Sequence, residues 1–304
     1  RAMGAAITTA EGGKLPAMIE GRQLTSYRYV LPMPSAQVKS ALLLAGLGAE
    51  VEVTITEPVK TRDHTERMLR AFGGEVRQAG DDVTFMPGQT LRATELTIPA
   101  DPSSAAFPMV AALVTSGSEV VLRDVMQNPR RTGLIGVLRR MGATIDTSNL
   151  RSIGGEDVAD LTVRSSVLGS TLVEGREVPD MIDEIPILAV AAAFASGTTR
   201  IEGLEELKVK ESDRLAATAR VLREGGVVCR TGEDWLEIDG CAEGQVRGGG
   251  EVDTDHDHRI GMAALVLGLG AEDRMRIKGA EAVATSFPGF GHAMTQLGAA
   301  META

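Results

Sequence analysis

The chain has 304 residues, 43% hydrophobic, 24% charged and only 3% aromatic, with a formal net charge of −11. That length suffices for two domains with cores of Ala, Val, Leu, Ile and Met, and the acidic balance argues against nucleic acid, whose phosphates want a basic surface. No apolar run approaches the ~20 residues of a membrane span. No signal peptide is visible, and Cys229 and Cys241 have neither metal spacing nor a disulfide framework, which suggests a reducing cytoplasm.

The first residues, Arg1-Ala2-Met3-Gly4-Ala5, match the end of a motif that recurs along the chain. It returns as Arg70-Ala71-Phe72-Gly73-Gly74, Arg140-Met141-Gly142-Ala143, Arg223-Glu224-Gly225-Gly226 and Gln296-Leu297-Gly298-Ala299. Each glycine falls where a helix should stop, because glycine adopts the left-handed cap without strain. The period of about 70–80 residues exceeds the ~20–50 of common solenoid repeats, so each repeat is a larger supersecondary unit.

The repeat after Ser35 reads most clearly. A buried helix is predicted over roughly Ala36 to Leu47, and Val51-Glu52-Val53-Thr54-Ile55 alternates as a half-exposed strand. Arg62-Asp63-His64-Thr65 opens a second helix running to Phe72, and strands follow on both sides of Asp81-Asp82. Each repeat therefore reads βαβαββ. Its first helix is apolar all round and is expected inside, beneath a shell of sheets. A domain boundary is expected near Ile98-Pro99-Ala100-Asp101, where a strand should end in a Pro-rich turn before three further repeats.

In the second part, Arg130-Arg131 reads as a turn with exposed charge and receives no role. Asp183, in Met181-Ile182-Asp183-Glu184-Ile185-Pro186, precedes the most apolar helix and is either its N-cap or a general base. Ser35 and Gln37 hold the matching place in the earlier repeat, as caps or as neutral donors to a ligand. A helix from near Ser212 to Leu222 places Lys210, Glu211 and Arg214 close together at its entrance, either as a solvated ion pair or as an anion site. Asp255-His256-Asp257-His258-Arg259 precedes a buried helix from Gly261 to Leu269. Without an HExxH pattern or a distant His cluster a metal is disfavoured, and Arg259 suits a carboxylate or phosphate. Arg62 is of the same kind, with a surface ion pair as its plain alternative.

Taken in order, Pro34-Ser35-Ala36-Gln37-Val38-Lys39-Ser40-Ala41, Arg62-Asp63-His64-Thr65-Glu66, Val209-Lys210-Glu211-Ser212-Asp213-Arg214-Leu215 and Asp257-His258-Arg259 resemble the 5-enolpyruvylshikimate-3-phosphate synthase (3-phosphoshikimate 1-carboxyvinyltransferase) family. The stretch from Met181 to Ala189 looks like its bacterial class II branch. The resemblance spans essentially the whole chain. It implies an α/β fold, a two-domain inside-out α/β barrel built from βαβαββ repeats, with a site between the domains. Residues 1–98 would be the remainder of the first-substrate domain and 99–304 a C-terminal domain of three repeats. By that template the N-terminal third is missing. Apolar surface from Ala41 to Leu47 would then be left in water, and the first segment would be the more labile.

What the resemblance implies for the site follows residue by residue. Ser35, the Ala36 backbone and Gln37 would bind shikimate 3-phosphate, helped by Arg62. Asp183 would take the proton of its 5-hydroxyl, and Lys210 would contact the same substrate. Glu211 would transfer the proton at the phosphoenolpyruvate methylene, and Gln37, Arg214 and Arg259 would bind phosphoenolpyruvate. Two positions depart from the pattern: Thr285 stands where many relatives have Lys, and Glu206 where others have Asn.

The implied reaction is an addition and elimination that expels phosphate, part of aromatic amino-acid biosynthesis in the cytoplasm. It needs fixed positive charge, a base and an acid, with no metal or organic cofactor. The expected partners are the two small substrates, with no nucleic acid or membrane, and the complete enzyme is expected to be a monomer. The alternatives are transfer of the same group to UDP-N-acetylglucosamine, or a catalytically silent fragment serving as a binding scaffold.

Overall fold

The computed structural model of the protein describes residues 1–241 and 245–302, and the chain divides into two compact units, Arg1–Thr97 and Ile98–Ala304. In the first unit, β1 (Ala6–Thr9) and β2 (Ala17–Glu20) pair as an antiparallel sheet of their own. Then come β3 (Tyr27–Val30), α1 (Ala36–Ala49), β4 (Val53–Thr56), α2 (His64–Ala71), β5 (Glu75–Ala79) and β6 (Asp82–Met86). They form one sheet ordered β3-β4-β6-β5, with β3 parallel to β4 and the other pairs antiparallel. This is the expected βαβαββ repeat.

Its core is small: Leu43 from α1 and Leu69 from α2 close over Val53, Ile55, Val76, Val83 and Phe85 of the sheet. Ser35 caps α1, its Oγ accepting from Val38 N at 3.3 Å. The helix is not enclosed all round, however, because its contacts within the unit are mainly with β4 and β6. Val38 and Leu44 remain exposed on its other side.

The second unit holds α3 (Pro102–Val114), β7 (Glu119–Met126), α4 (Gly133–Arg140), β8 (Thr144–Ile153), β9 (Glu156–Arg164), β10 (Leu172–Val173), α5 (Ile185–Ala193), β11 (Gly197–Glu202), α6 (Arg214–Glu224), β12 (Val228–Thr231), β13 (Trp235–Gly240), β14 (Glu251–Asp253), α7 (His258–Gly270), β15 (Arg276–Lys278) and α8 (Phe290–Gln296). The helices α3, α5 and α7 touch one another and are buried along most of their lengths, which puts them inside, as their all-apolar sequences require. Three sheets lie over them: β7-β9-β8, β10-β11-β13-β12 and β14-β15. The second has the same order and strand directions as the sheet of the first unit.

Two expectations need correction. Among the described residues only the middle repeat of this unit is a full βαβαββ. The first has three strands plus a one-residue bridge from Ala100 to Val125, and the last stops at βαβ with α8. Nor does a strand end at the boundary: residues 87–99 form neither strand nor helix, and 88–98 are exposed throughout. The motif glycines behave as read, since Gly4, Gly73, Gly142, Gly226 and Gly298 all have φ between 79° and 100°.

Candidate functional site

The entrances of the interior helices carry the chemistry of the second unit. A turn of 3-10 helix, Ile182–Glu184, leads into α5, and Pro186 fixes the first helical turn. Asp183 does not cap α5. Its carboxylate instead faces two guanidinium groups, Arg214 Nη1 at 3.2 Å and Arg259 Nη2 at 3.7 Å. Arg259 also donates from Nη1 to the Asp183 backbone carbonyl at 3.2 Å.

Arg214 opens α6, whose cap is Asp213 accepting from Ala216 N. Its side chain is 1% exposed and meets three carboxylates: Asp183, Glu211 at 2.5 Å, and Asp257 at 2.8 Å through Nε. Asp257, itself fully buried, caps α7 by accepting from Arg259 N at 2.9 Å, and it accepts from Ser212 Oγ at 2.9 Å. Burial works against the Asp257 carboxylate. The Arg214 guanidinium and the hydrogen bonds from Arg259 N and Ser212 nevertheless hold it below the usual carboxyl range. Burial and the nearby Arg259 lower His258 in the same turn. Just before the cap, Asp255 and His256 both adopt positive φ, 50° and 59°, a conformation that costs energy for side chains of this size.

A second line of polar groups reaches Arg259 from the other side. Glu184 is buried, accepts a short hydrogen bond from Ser103 Oγ, and lies 3.5 Å from Arg259 Nη1. Ser103 in turn receives Arg131 Nη2 at 2.8 Å, and the same nitrogen reaches Asp101 at 2.7 Å, the cap of α3. Burial pushes the Glu184 carboxyl up, against the pull of Arg259, the Ser103 hydroxyl and Arg131, and the Asp183 charge adds to the rise. Arg131, read from sequence as exposed charge, is thus a mostly buried member of this network, with its side chain 13% exposed.

Lys210 lies outside helix α6, in extended backbone, and turns to Glu206 instead of to the helix entrance. That corrects the grouping expected from spacing: Glu211 and Arg214 meet, while Lys210 pairs with the residue that departs from the family pattern. Glu211 is the exposed member, its side chain 54% accessible. Thr285 spends its hydroxyl on Ala282 O at 2.7 Å.

In the first unit, Ser35 and half-buried Ala36 begin α1, Gln37 is exposed in its first turn, and half-buried Arg62 precedes α2. Beneath them lies a group with no assigned role at the sequence level. Lys39 Nζ is closed off from solvent between Glu57 at 3.0 Å and Glu66 at 2.6 Å, and Glu57 also accepts from the Thr61 backbone and hydroxyl. Among the described residues no group of three or more His, Cys, Asp or Glu could hold a metal ion, and no helix is long and apolar enough to cross a membrane.

An acidic side chain between two arginines at converging helix entrances can accept a proton from a hydroxyl while the cations hold an anion beside it. The chain is similar to several known proteins. The profile of the EPSP synthase (3-phosphoshikimate 1-carboxyvinyltransferase) family matches residues 1–294. The 3-phosphoshikimate 1-carboxyvinyltransferase of Chelativorans sp. (strain BNC1) is 49% identical over 309 residues, covering 99% of this chain and 69% of the relative. That of Methylorubrum extorquens is 52% identical, covering 99% and 68%. The EPSP synthase structure from Acinetobacter baumannii superposes with a TM-score of 0.90 at 45% identity, covering 99% of this chain and 69% of that one. The enolpyruvyl transferase NikO from Streptomyces tendae, at 18% identity and a TM-score of 0.76, shares the fold.

Proposed function

The chain belongs to the EPSP synthase family, and on that premise we propose how its residues divide the work of enolpyruvyl transfer. The fold is the family's inside-out two-domain α/β fold, and the reaction moves the enolpyruvyl group of phosphoenolpyruvate to the 5-hydroxyl of shikimate 3-phosphate, in the shikimate pathway.

Asp183 is the base that takes the proton of the 5-hydroxyl. The observation that carries this reading is its position between Arg214 and Arg259. The same two cations attract the carboxylate and phosphate of phosphoenolpyruvate. Arg259, with its side chain 14% exposed, makes the first contact with that anion. Arg214 contributes once its Nη2 leaves Glu211. Glu211, so released, delivers a proton to the phosphoenolpyruvate methylene, giving a tetrahedral intermediate that later expels phosphate. Lys210 contacts shikimate 3-phosphate when it exchanges Glu206 for the substrate. In the first unit, Ser35, the Ala36 backbone, Gln37 and Arg62 are assigned to shikimate 3-phosphate, and Gln37 also to phosphoenolpyruvate. The exposure of Gln37 and the helix start at Ala36 support that assignment.

We further propose that the enzyme works as a monomer in the cytoplasm without a nucleic-acid partner, a reading supported by its net charge of −11. A phosphate-release assay with phosphoenolpyruvate and either shikimate 3-phosphate or UDP-N-acetylglucosamine tests the acceptor. Release with the second acceptor alone would overturn the assignment.

A further inference from the structure

Arg259 is shared between two carboxylates on consecutive residues. Its Nη2 faces Asp183 at 3.7 Å and its Nη1 faces Glu184 at 3.5 Å. The base assignment uses Asp183; it leaves Glu184 without a function, although Glu184 is the more deeply buried of the two. A carboxylate enclosed in this way is costly unless its oxygens are fully bonded. Here Oε1 accepts from Ser103, while Oε2 is buried with no hydrogen-bond partner.

The groups that face Glu184 come from every side of it. They are Ser103 in the first turn of α3, Arg131 from the loop before α4, Arg259 in α7, and Asp183 in its own turn. Of the two cations among these, only Arg259 is also assigned to an anionic substrate. Ser103 and Arg131 are tied to each other and to Asp101, so they stay behind when Arg259 turns to a ligand.

We propose that Glu184 is a positioning residue for Arg259 that competes with the incoming anion, holding Nη1 until an anion takes the guanidinium and then binding one proton from solvent. This rests on the assignment of Arg259 to an anionic substrate. The physical reason is direct. Drawing the guanidinium toward a ligand removes the strongest opposing cation from a carboxylate already enclosed in protein, and the neutral acid becomes the favoured form. The proton enters as the anion does, so anion binding weakens as pH rises. Oε2, the unpartnered oxygen, is where the proton sits.

The test uses sulfate, which carries no titratable proton across the neutral range, titrated calorimetrically into the whole chain. Repeating the titration in buffers of different ionisation enthalpy counts the protons taken up. The expected result is net uptake by the wild-type protein and none by Glu184→Gln, with sulfate still bound. Ser103→Ala keeps the carboxyl but removes a hydrogen bond that favours its charged form, so the uptake should shift to higher pH. Should Glu184→Gln fail to fold, that shift alone decides the proposal. Binding without uptake in the wild type, or uptake persisting in Glu184→Gln, overturns it. Arg259→Ala separates the premise: if it binds sulfate as well as the wild type does, Arg259 is not the anion contact, and both readings fall.

Discussion

Arg214 and Asp257 form a pair closed to solvent on both partners, with Nε 2.8 Å from the carboxylate. The pair joins α6 to the cap of α7, so the same carboxylate orders two helix entrances. Breaking such a pair strands a charge, which typically costs about 3–5 kcal/mol. Arg214→Ala should therefore lower the denaturation midpoint as well as activity. Arg259, more exposed and less enclosed, should behave differently. Arg259→Ala should lower the midpoint less than Arg214→Ala, since Glu184 loses a cation but keeps the Ser103 hydroxyl, and should weaken phosphoenolpyruvate by about 2–4 kcal/mol, with a much smaller loss for shikimate 3-phosphate. Equal losses for the two substrates in a binding titration would refute the assignment.

Asp183→Asn should retain the fold and lose turnover by about 10²–10⁴-fold, the usual range for a missing general base. The amide cannot accept the hydroxyl proton. Circular dichroism and kcat measured on the same sample check both halves, and a variant with near wild-type kcat would remove Asp183 from the mechanism.

Stability should depend on pH in two opposed ways. Asp257 has a folded pKa below its ordinary 3.8, so it contributes stability above that value, lost as pH falls through the lowered one. Glu184 is raised above 4.5, so its contribution is complete below 4.5 and declines as pH rises through the raised value. Glu184→Gln should flatten that decline and leave the Asp257 limb in place. Urea midpoints measured from pH 3 upward would show both limbs.

Lys39→Met should destabilise the first unit by about 3–5 kcal/mol, because Glu57 and Glu66 would be left buried without their cation. The readout is loss of protection in β4 and α2 by hydrogen exchange. Unchanged protection would mean that the two carboxylates take up protons at no cost.

Limited trypsin treatment should cut first within residues 88–98, after Arg92, since that stretch is exposed and has no regular structure. A resistant fragment beginning at Ala93 is expected. First cleavage inside the second unit would contradict the difference between the two cores.

Much of the fold was legible in the repeats. The all-apolar character of α3, α5 and α7 announces interior helices, and the glycines at 73, 142 and 226 announce where helices end. The exposed side of α1 agrees with the apolar surface expected between Ala41 and Leu47: Leu44 lies in water while Leu43 packs on the sheet. At the site, Asp183, Arg214 and Arg259 could be picked out because each sits at a helix start in a short recognisable run. Arg131 could not. Its partners Asp101 and Ser103 are about thirty residues away, and nothing in Arg130-Arg131 distinguishes a buried guanidinium from an exposed one. Asp183 was also ambiguous in sequence, since a cap and a base occupy the same position before a helix. In the structure its carboxylate faces Arg214 and Arg259.

The sheets of residues 27–86 and 172–240 each close with their own hairpin, using only strands that lie near one another in the chain. Such a repeat needs no distant strand to complete its ladder, so little loop-closure entropy stands in the way of its assembly. Each can therefore form early and on its own, as a cooperative opening and closing unit. Among the described residues the last repeat pairs β14 with β15 and shows no hairpin. In folding it should be the follower, ordered on helices α3 and α5 that are already in place.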